Sequence, residues 1–302
     1  MPNAVPAPLP PRWLAPALIT LLCAIWGSSW FVIRYGLPGM PPLTLAAARF
    51  WLAGLAMAVA APVLQRREGQ PRPPRWLWLS CGATNFALSY AILYRAEMVV
   101  PSGIAAVLWG VFPLLMALSA VWFLGERLRR AQVLGFVTAF GGIVAVFAGD
   151  LGGIGREQLP WAAFLLLSPL VSAVGTTLIK KFGSHSSSVL LNRNGMLVGA
   201  LLLTALAFLT EAPLQVAWTA RAMLATVYLA MFATALTFGV YFWLLRTVPA
   251  SQLSLVSYVT PVLAILLGEA LGDGSAGLEV WLGTALVVVG IALCVVRPRN
   301  AR

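Results

Sequence analysis

The chain has 302 residues, 60% hydrophobic and only 10% charged, with a formal net charge of +11 and mean hydropathy +0.89. Soluble domains carry about 25% charged residues, so this composition excludes an ordinary soluble globular protein and fits a multi-span membrane protein. The basic excess does not indicate nucleic-acid binding, because the charges are spread over the short connections between apolar runs.

A membrane-spanning helix needs about 20 mostly apolar residues. Ten runs qualify: residues 14–34, 43–64, 76–96, 101–124, 132–149, 159–179, 189–209, 222–245, 250–271 and 278–296. The predicted fold is an all-α integral membrane protein with ten transmembrane helices, and no soluble domain is left over. Residues 1–12 and 297–302 are expected to be short tails. The first run is long and lacks a small-residue cleavage pattern, so it reads as a retained helix. The third run ends in Tyr94 and Arg95 and leads into Glu97. The fourth opens on Pro101, where a missing N–H costs nothing. It carries Pro113 in mid-run, which frees the carbonyl of Trp109 and predicts a kink. The ninth repeats this layout at Pro249 and Pro261, with the Ser257 carbonyl freed. The fifth and tenth runs are almost purely apolar. Each has two glycines seven residues apart, Gly135 with Gly142 and Gly283 with Gly290, which predict close helix approach. Packing or a homodimer through these two helices is the expected role. Cys23, Cys81 and Cys294 all fall in apolar runs and read as small buried hydrophobes.

A single offset of 148 residues aligns Pro101 with Pro249, Pro113 with Pro261, Gly135 with Gly283 and Gly142 with Gly290. It also sets Gly27-Ser28-Ser29 on Gly175-Thr176-Thr177. Two units of five helices follow, residues 13–149 and 159–296, with a linker at 150–158. Because five is odd, the second unit starts on the opposite side of the membrane, so the units are inverted repeats. That architecture is typical of secondary transporters, whose sites lie near the midplane between the repeats. Fifteen of the 20 Lys and Arg residues fall on one face, five on the other face and nearby spans. By the positive-inside rule both termini are cytoplasmic. The basic set is eighteen Arg and two Lys, which points to a GC-rich bacterium and hence an inner (plasma) membrane.

Polar residues inside the runs are the candidates for function. Tyr90, Tyr94 and Glu97 follow i, i+4, i+7 and share a helix face. Glu97 is the candidate proton carrier, since a carboxylate withdrawn from water can exchange a proton or hold an amine; the competing reading pairs it with Arg95 at a helix end. Arg49 lies about 10 Å into the second run by helical rise. An intramembrane charge faces a cavity or a partner, so Arg49 either binds a substrate carboxylate, pairs with Glu97 or snorkels to the interface. Further stripes run through Ser168, Ser172 and Thr176, through Thr234, Thr237 and Tyr241, and through Ser251, Ser254 and Tyr258. Trp26 and Trp30 share a face, with Ser29 between them. Trp109 and Ser257 sit at the proline sites. Ser and Thr in membrane helices also serve as interhelical glue. Taken together, the stripes predict a polar, aromatic-rich cavity, with Pro113 and Pro261 as hinges. Asn192, Arg193 and Asn194 read as an interfacial cap, and Glu126 as a turn residue paired with neighbouring arginines.

The segments AIWGSSWFVIRYG, PPLTLAAARFWLAG, AEMVVPSGIAAVL, FLGERLRRAQVLGFVTAFGGI and, in the second half, SYVTPVLAILLGEALGD resemble the EamA-type members of the drug/metabolite transporter superfamily. The likeness covers nearly the whole chain. It implies two inverted five-helix repeats, a central cavity and export of amino acids or other small metabolites. One departure concerns Glu126: its equivalent by the offset is Gly274, with Asp273 adjacent.

The expected function is a secondary active exporter of small amphipathic metabolites working by alternating access. The expected partners are a small-molecule substrate and the lipid bilayer, and no cofactor or metal is expected. No GxxxxGK[ST] loop is present, so ATP is not the local energy source. A passive facilitator or channel is the alternative. An intramembrane enzyme is disfavoured, because one histidine cannot make an HExxH zinc site and no GxSxG or GxGD sequence occurs.

Overall fold

The computed structural model describes residues 13–36, 40–100, 102–146, 155–211, 216, 218–270 and 277–295, and every regular element among them is helical. Both predicted tails, most of the 150–158 linker, Pro101, Asp273 and Gly274 lie outside the described residues, as do the side chains of Trp30 and Glu269. The elements are α1 (Leu14–Gly36), α2 (Pro42–Glu68), α3 (Arg75–Cys81), π1 (Gly82–Leu88), α4 (Ser89–Ala96), α5 (Ser102–Trp109), α6 (Phe112–Leu124) and α7 (Arg130–Val146). There follow α8 (Leu159–Leu165), α9 (Leu167–Gly183), α10 (Ser188–Thr210), α11 (Ala220–Ala230), π2 (Met231–Leu236), α12 (Thr237–Leu245), α13 (Ala250–Leu253), α14 (Val256–Ala270) and α15 (Leu278–Val295).

Seven helices among the described residues are long and apolar enough to cross a membrane. Their outward faces carry large apolar side chains, such as Val59 at 83% exposure and Leu209 at 81%. Soluble proteins rarely expose so much apolar surface without a partner, and a lipid environment accounts for it.

Two rods contain π-helical turns. α3, π1 and α4 run on without leaving right-handed helical geometry at either joint, and so do α11, π2 and α12. The 148-residue offset carries 82–88 onto 230–236, so the two π segments coincide almost turn for turn. Single π turns widen a helix locally and recur at functional sites.

The halves pack across each other in exchanged roles. α1 lies against α14 and against α11; α9 lies against α6 and against π1 and α4. α2 packs on α10, and α7 on α15. In the α7–α15 crossing the glycines have a visible purpose. A Cβ on Gly135 would sit 2.5 Å from the Gly290 carbonyl oxygen, and one on Gly142 would sit 2.7 Å from that of Gly283. The backbones therefore touch, as small-residue faces allow. The predicted close approach occurs within the chain, between the glycine faces of α7 and α15.

Pro113 departs from its prediction. Instead of kinking a continuous helix, it sits in the first turn of α6, after a turn at Gly110–Val111 that ends α5. Ending the helix costs less than keeping it, because a first-turn proline removes no hydrogen bond. Pro261 does lie inside a helix, α14. The Ser257 carbonyl it frees is approached by the Thr260 hydroxyl at 3.5 Å. The break in that rod falls earlier, at Ser254–Leu255. The two proline rods are thus bent at non-equivalent positions.

A candidate solute site around Arg49

Arg49 is the centre of the polar interior. It is 2% exposed, on the α2 face that meets π2 and α4. Its Nε donates to Thr234 Oγ1 at 2.6 Å, and one Nη donates to the Ala233 carbonyl at 3.0 Å. The Tyr94 and Tyr90 hydroxyls lie at 3.4 and 3.5 Å. The guanidinium also lies 5.0 Å from the Tyr90 ring centre and 5.7 Å from that of Phe50. No carboxylate pairs with it among the described residues. Of the readings that the sequence left open, pairing with Glu97 and snorkelling are not seen. A buried charge normally has an ionic partner, and here neutral groups hold the guanidinium in place while its charge stays unmatched.

Beside Arg49 is a cavity of about 120 Å³, lined by parts of both halves. A water needs roughly 10–15 Å³ by this kind of measure, so the space takes a small solute. Of the predicted residues, Trp26, Ser29, Arg49, Tyr90, Trp109, Ser172, Thr176, Tyr241, Ser257 and Pro261 line it. No acid does so among the described residues. Aromatic rings form much of one wall: Trp26 lies 5.4 Å from both Phe238 and Tyr241, centre to centre. Asn85, on π1, is 3% exposed. Its Oδ1 accepts from Ser172 at 3.2 Å and Thr176 at 3.5 Å. Its Nδ2, the Trp109 indole N–H and the Tyr241 hydroxyl have no hydrogen-bond partner among the described residues.

Four predicted substrate-binding residues lie off the cavity, as does the predicted hinge Pro113. Tyr94 is buried behind Arg49 and serves to hold it. Thr237 is fully buried, and its hydroxyl has no partner among the described residues. Tyr258 turns into a second apolar cluster with Phe136 and Ile143, where its hydroxyl donates to the Phe136 carbonyl at 3.2 Å. Its i+7 spacing from Ser251 spans the Ser254–Leu255 break, so the ideal-helix register does not hold. Glu97 follows α4 directly and is half-buried, with no polar partner among the described residues. Arg95 donates instead to the Thr210 carbonyl at 3.1 Å.

Two further readings are corrected. Asn192 is fully buried and donates to the Ser188 and Phe238 carbonyls, while Ser187 caps α10. Glu126 reaches the start of α13, where it accepts from Ala250 N at 2.8 Å and Ser251 Oγ at 2.6 Å. A carboxylate satisfies the orphan N–H groups at a helix start, and the helix dipole there favours its charge. Asn85 was missed altogether; an amide inside the apolar run 76–96 was the available signal.

The sequence pattern of the EamA-like transporter family matches twice, at residues 13–148 and 159–296. The chain belongs to the EamA-like transporter family. Its relatives include the inner membrane transporter YedA of Escherichia coli K12, 30% identical over 90% of this chain and 87% of that protein. A Salmonella typhimurium protein named "Probable amino-acid metabolite efflux pump" is 31% identical, over 91% of this chain and 92% of its own. The transporter YvbV of Bacillus subtilis is 26% identical over 94% and 92%. A protein crystal structure, 22% identical, superposes with a TM-score of 0.82 over 96% of this chain and 99% of that one; it shows that the fold is shared. This EamA-like chain is therefore a membrane transporter.

Proposed function

We propose that the chain is a secondary exporter of small organic solutes that carry a carboxylate, such as amino acids and their derivatives. The observation that carries this reading is the buried, unmatched Arg49 beside a small cavity with no acidic side chain. A guanidinium presents a fork that fits a carboxylate. The aromatic wall suits an apolar body, and the unpartnered Asn85, Trp109 and Tyr241 groups suit a second polar group. The name of the Salmonella relative agrees with this class of cargo.

The architecture in this reading is ten helices in two inverted five-helix repeats, 13–149 and 159–296, with both termini cytoplasmic. It is supported by the double family match, the exchanged packing, the coincident π segments and the arginine bias. Alternating access would use the unequal bends of the two proline rods. Glu97 is the acid available for proton exchange, at the outer end of α4 and outside the cavity lining.

The test is a ligand-induced thermal shift screen on purified protein, followed by counterflow of the labelled hit in proteoliposomes. Saturable counterflow supports a carrier. Flux that never saturates would make the protein a channel.

A further inference from the structure

Each end of the α2–α10 pair is tied by a carboxylate, Glu68 at one end and Glu211, which accepts from Leu43 N and Thr44 N, at the other, but Arg246 and Lys180 add contacts at the Glu68 end only, among the described residues. The connection between α12 and α13, residues 246–249, is held by three charged side chains. Arg246 pairs with Glu68 at 2.9 Å. Lys180 Nζ donates to the Leu245 carbonyl at 2.6 Å and to that of Val248 at 3.0 Å. Glu126, just past the end of α6, receives Ala250 N and Ser251 Oγ at the start of α13. Glu68 also accepts from the hydroxyls of Ser187 and Ser188 and from Ser188 N. One carboxylate thus ties the end of α2 to the start of α10 and the end of α12.

The 148-residue offset carries this connection to residues 98–101, between α4 and α5, at the opposite end. Arg246 falls on Met98, Lys180 on Val32 and Leu245 on Glu97. Met98 is 63% exposed and Val99 37%. The Glu97 carboxylate has no polar partner among the described residues.

We infer that residues 245–251, gripped by Glu68, Glu126 and Lys180, form a latch that holds the arginine-rich end shut, so the empty carrier rests with its site facing the other side. The inference builds on the proposed transport role. Among the described residues no charged side chain grips the 97–100 connection in the same way. The latch must break each time the site turns inward. Its contacts involve formal charges or helix-start N–H groups, the stronger class of hydrogen bond.

The test is side-specific thiol labelling. Cys23, Cys81 and Cys294 are replaced by alanine, and the cavity residue Ser257→Cys becomes the reporter. A membrane-impermeant maleimide is added to right-side-out and to inverted vesicles. The unlatched face should label at least tenfold faster than the arginine-rich face. Glu126→Gln with Lys180→Met should cut that ratio about tenfold, the scale of losing one or two charge-assisted hydrogen bonds. Glu211→Gln is the control, because it removes a carboxylate that caps α2 at Leu43 and Thr44, at the opposite end; it must not lower the ratio. An unchanged ratio in a Glu126→Gln/Lys180→Met protein with wild-type Tm would overturn the inference, as would faster labelling of wild type from the arginine-rich face. The labelling needs no substrate. A shifted ratio without any solute counterflow would leave the latch standing and remove the transport reading instead.

Discussion

Replacing Arg49 by methionine separates function from stability. The substitution keeps a long, flexible side chain and deletes the charge. Few partners are stranded. Thr234 Oγ1 still donates to the Leu229 carbonyl at 2.8 Å, and the Ala233 carbonyl still accepts from the Trp26 indole at 3.3 Å. The two tyrosine hydroxyls lose only long contacts. Replacing even a buried ion pair by apolar groups of similar volume is often neutral, or stabilising by about 1–4 kcal/mol, and Arg49 lacks an ionic partner among the described residues, so Tm in detergent should hold or rise. Binding should suffer differently. Each hydrogen bond to a charged group contributes about 1.5–3 kcal/mol, so losing a two-point grip on a carboxylate weakens binding by about 3 kcal/mol, more than a hundredfold. Arg49→Lys keeps the charge without the fork and should fall between. The assay pairs thermal unfolding with saturable counterflow in proteoliposomes. If Arg49→Met transports carboxylate solutes with wild-type KM, the site assignment is refuted. If it unfolds well below wild type, Arg49 is a structural residue and the argument from its unmatched charge fails.

Further predictions follow the same geometry. Tyr241→Phe removes a buried hydroxyl with no partner among the described residues, so the empty protein should gain up to about 1 kcal/mol of stability while solute binding weakens; a lower Tm would show that the hydroxyl is already satisfied. Glu97→Gln tests proton exchange: if counterflow and its response to a pH gradient both stay at wild-type values, Glu97 is not the proton carrier. Tyr258→Phe loses the bond to the Phe136 carbonyl, costing about 1 kcal/mol and lowering Tm, with counterflow KM unchanged because the residue is off the cavity. Gly142→Leu forces a side chain where a Cβ already meets the Gly283 carbonyl at 2.7 Å. It should part α7 from α15 and cost at least about 1–3 kcal/mol, seen as aggregation on size-exclusion chromatography; a monodisperse variant of wild-type Tm would contradict the crossing.

Much of the fold was legible because a bilayer imposes a coarse rule on sequence. Each of the ten apolar runs is helical where its residues are described, apart from short turns at Gly110–Val111, Leu166 and Ser254–Leu255, and the glycine spacing pointed to close helix approach at α7 and α15 without saying that they approach each other. Ten of the predicted cavity and hinge positions do line the cavity, because polar side chains in apolar runs have few other places to go. The failures have local causes. Tyr258 and Thr237 were placed by ideal helical spacing, which a break at Ser254–Leu255 and the π turn 231–236 both reset. Asn85 belongs to the other π turn, and its role depends on hydroxyls that α9 brings from 87 and 91 residues away. Pro113 shows how a proline rule can point to the right residue and the wrong geometry. Glu126 and Glu68 were out of reach, since nothing local says that a turn carboxylate will cap a helix more than 100 residues later.

The central claim is that Arg49 receives a carboxylate within a solute-carrying cavity. It is tested most directly by counterflow competition between a carboxylate solute found by thermal shift and its uncharged amide. In wild type the acid should compete at least a hundredfold better than the amide, and in Arg49→Met that preference should disappear. Equal competition by acid and amide in wild type, or a preference that survives Arg49→Met, would contradict the account.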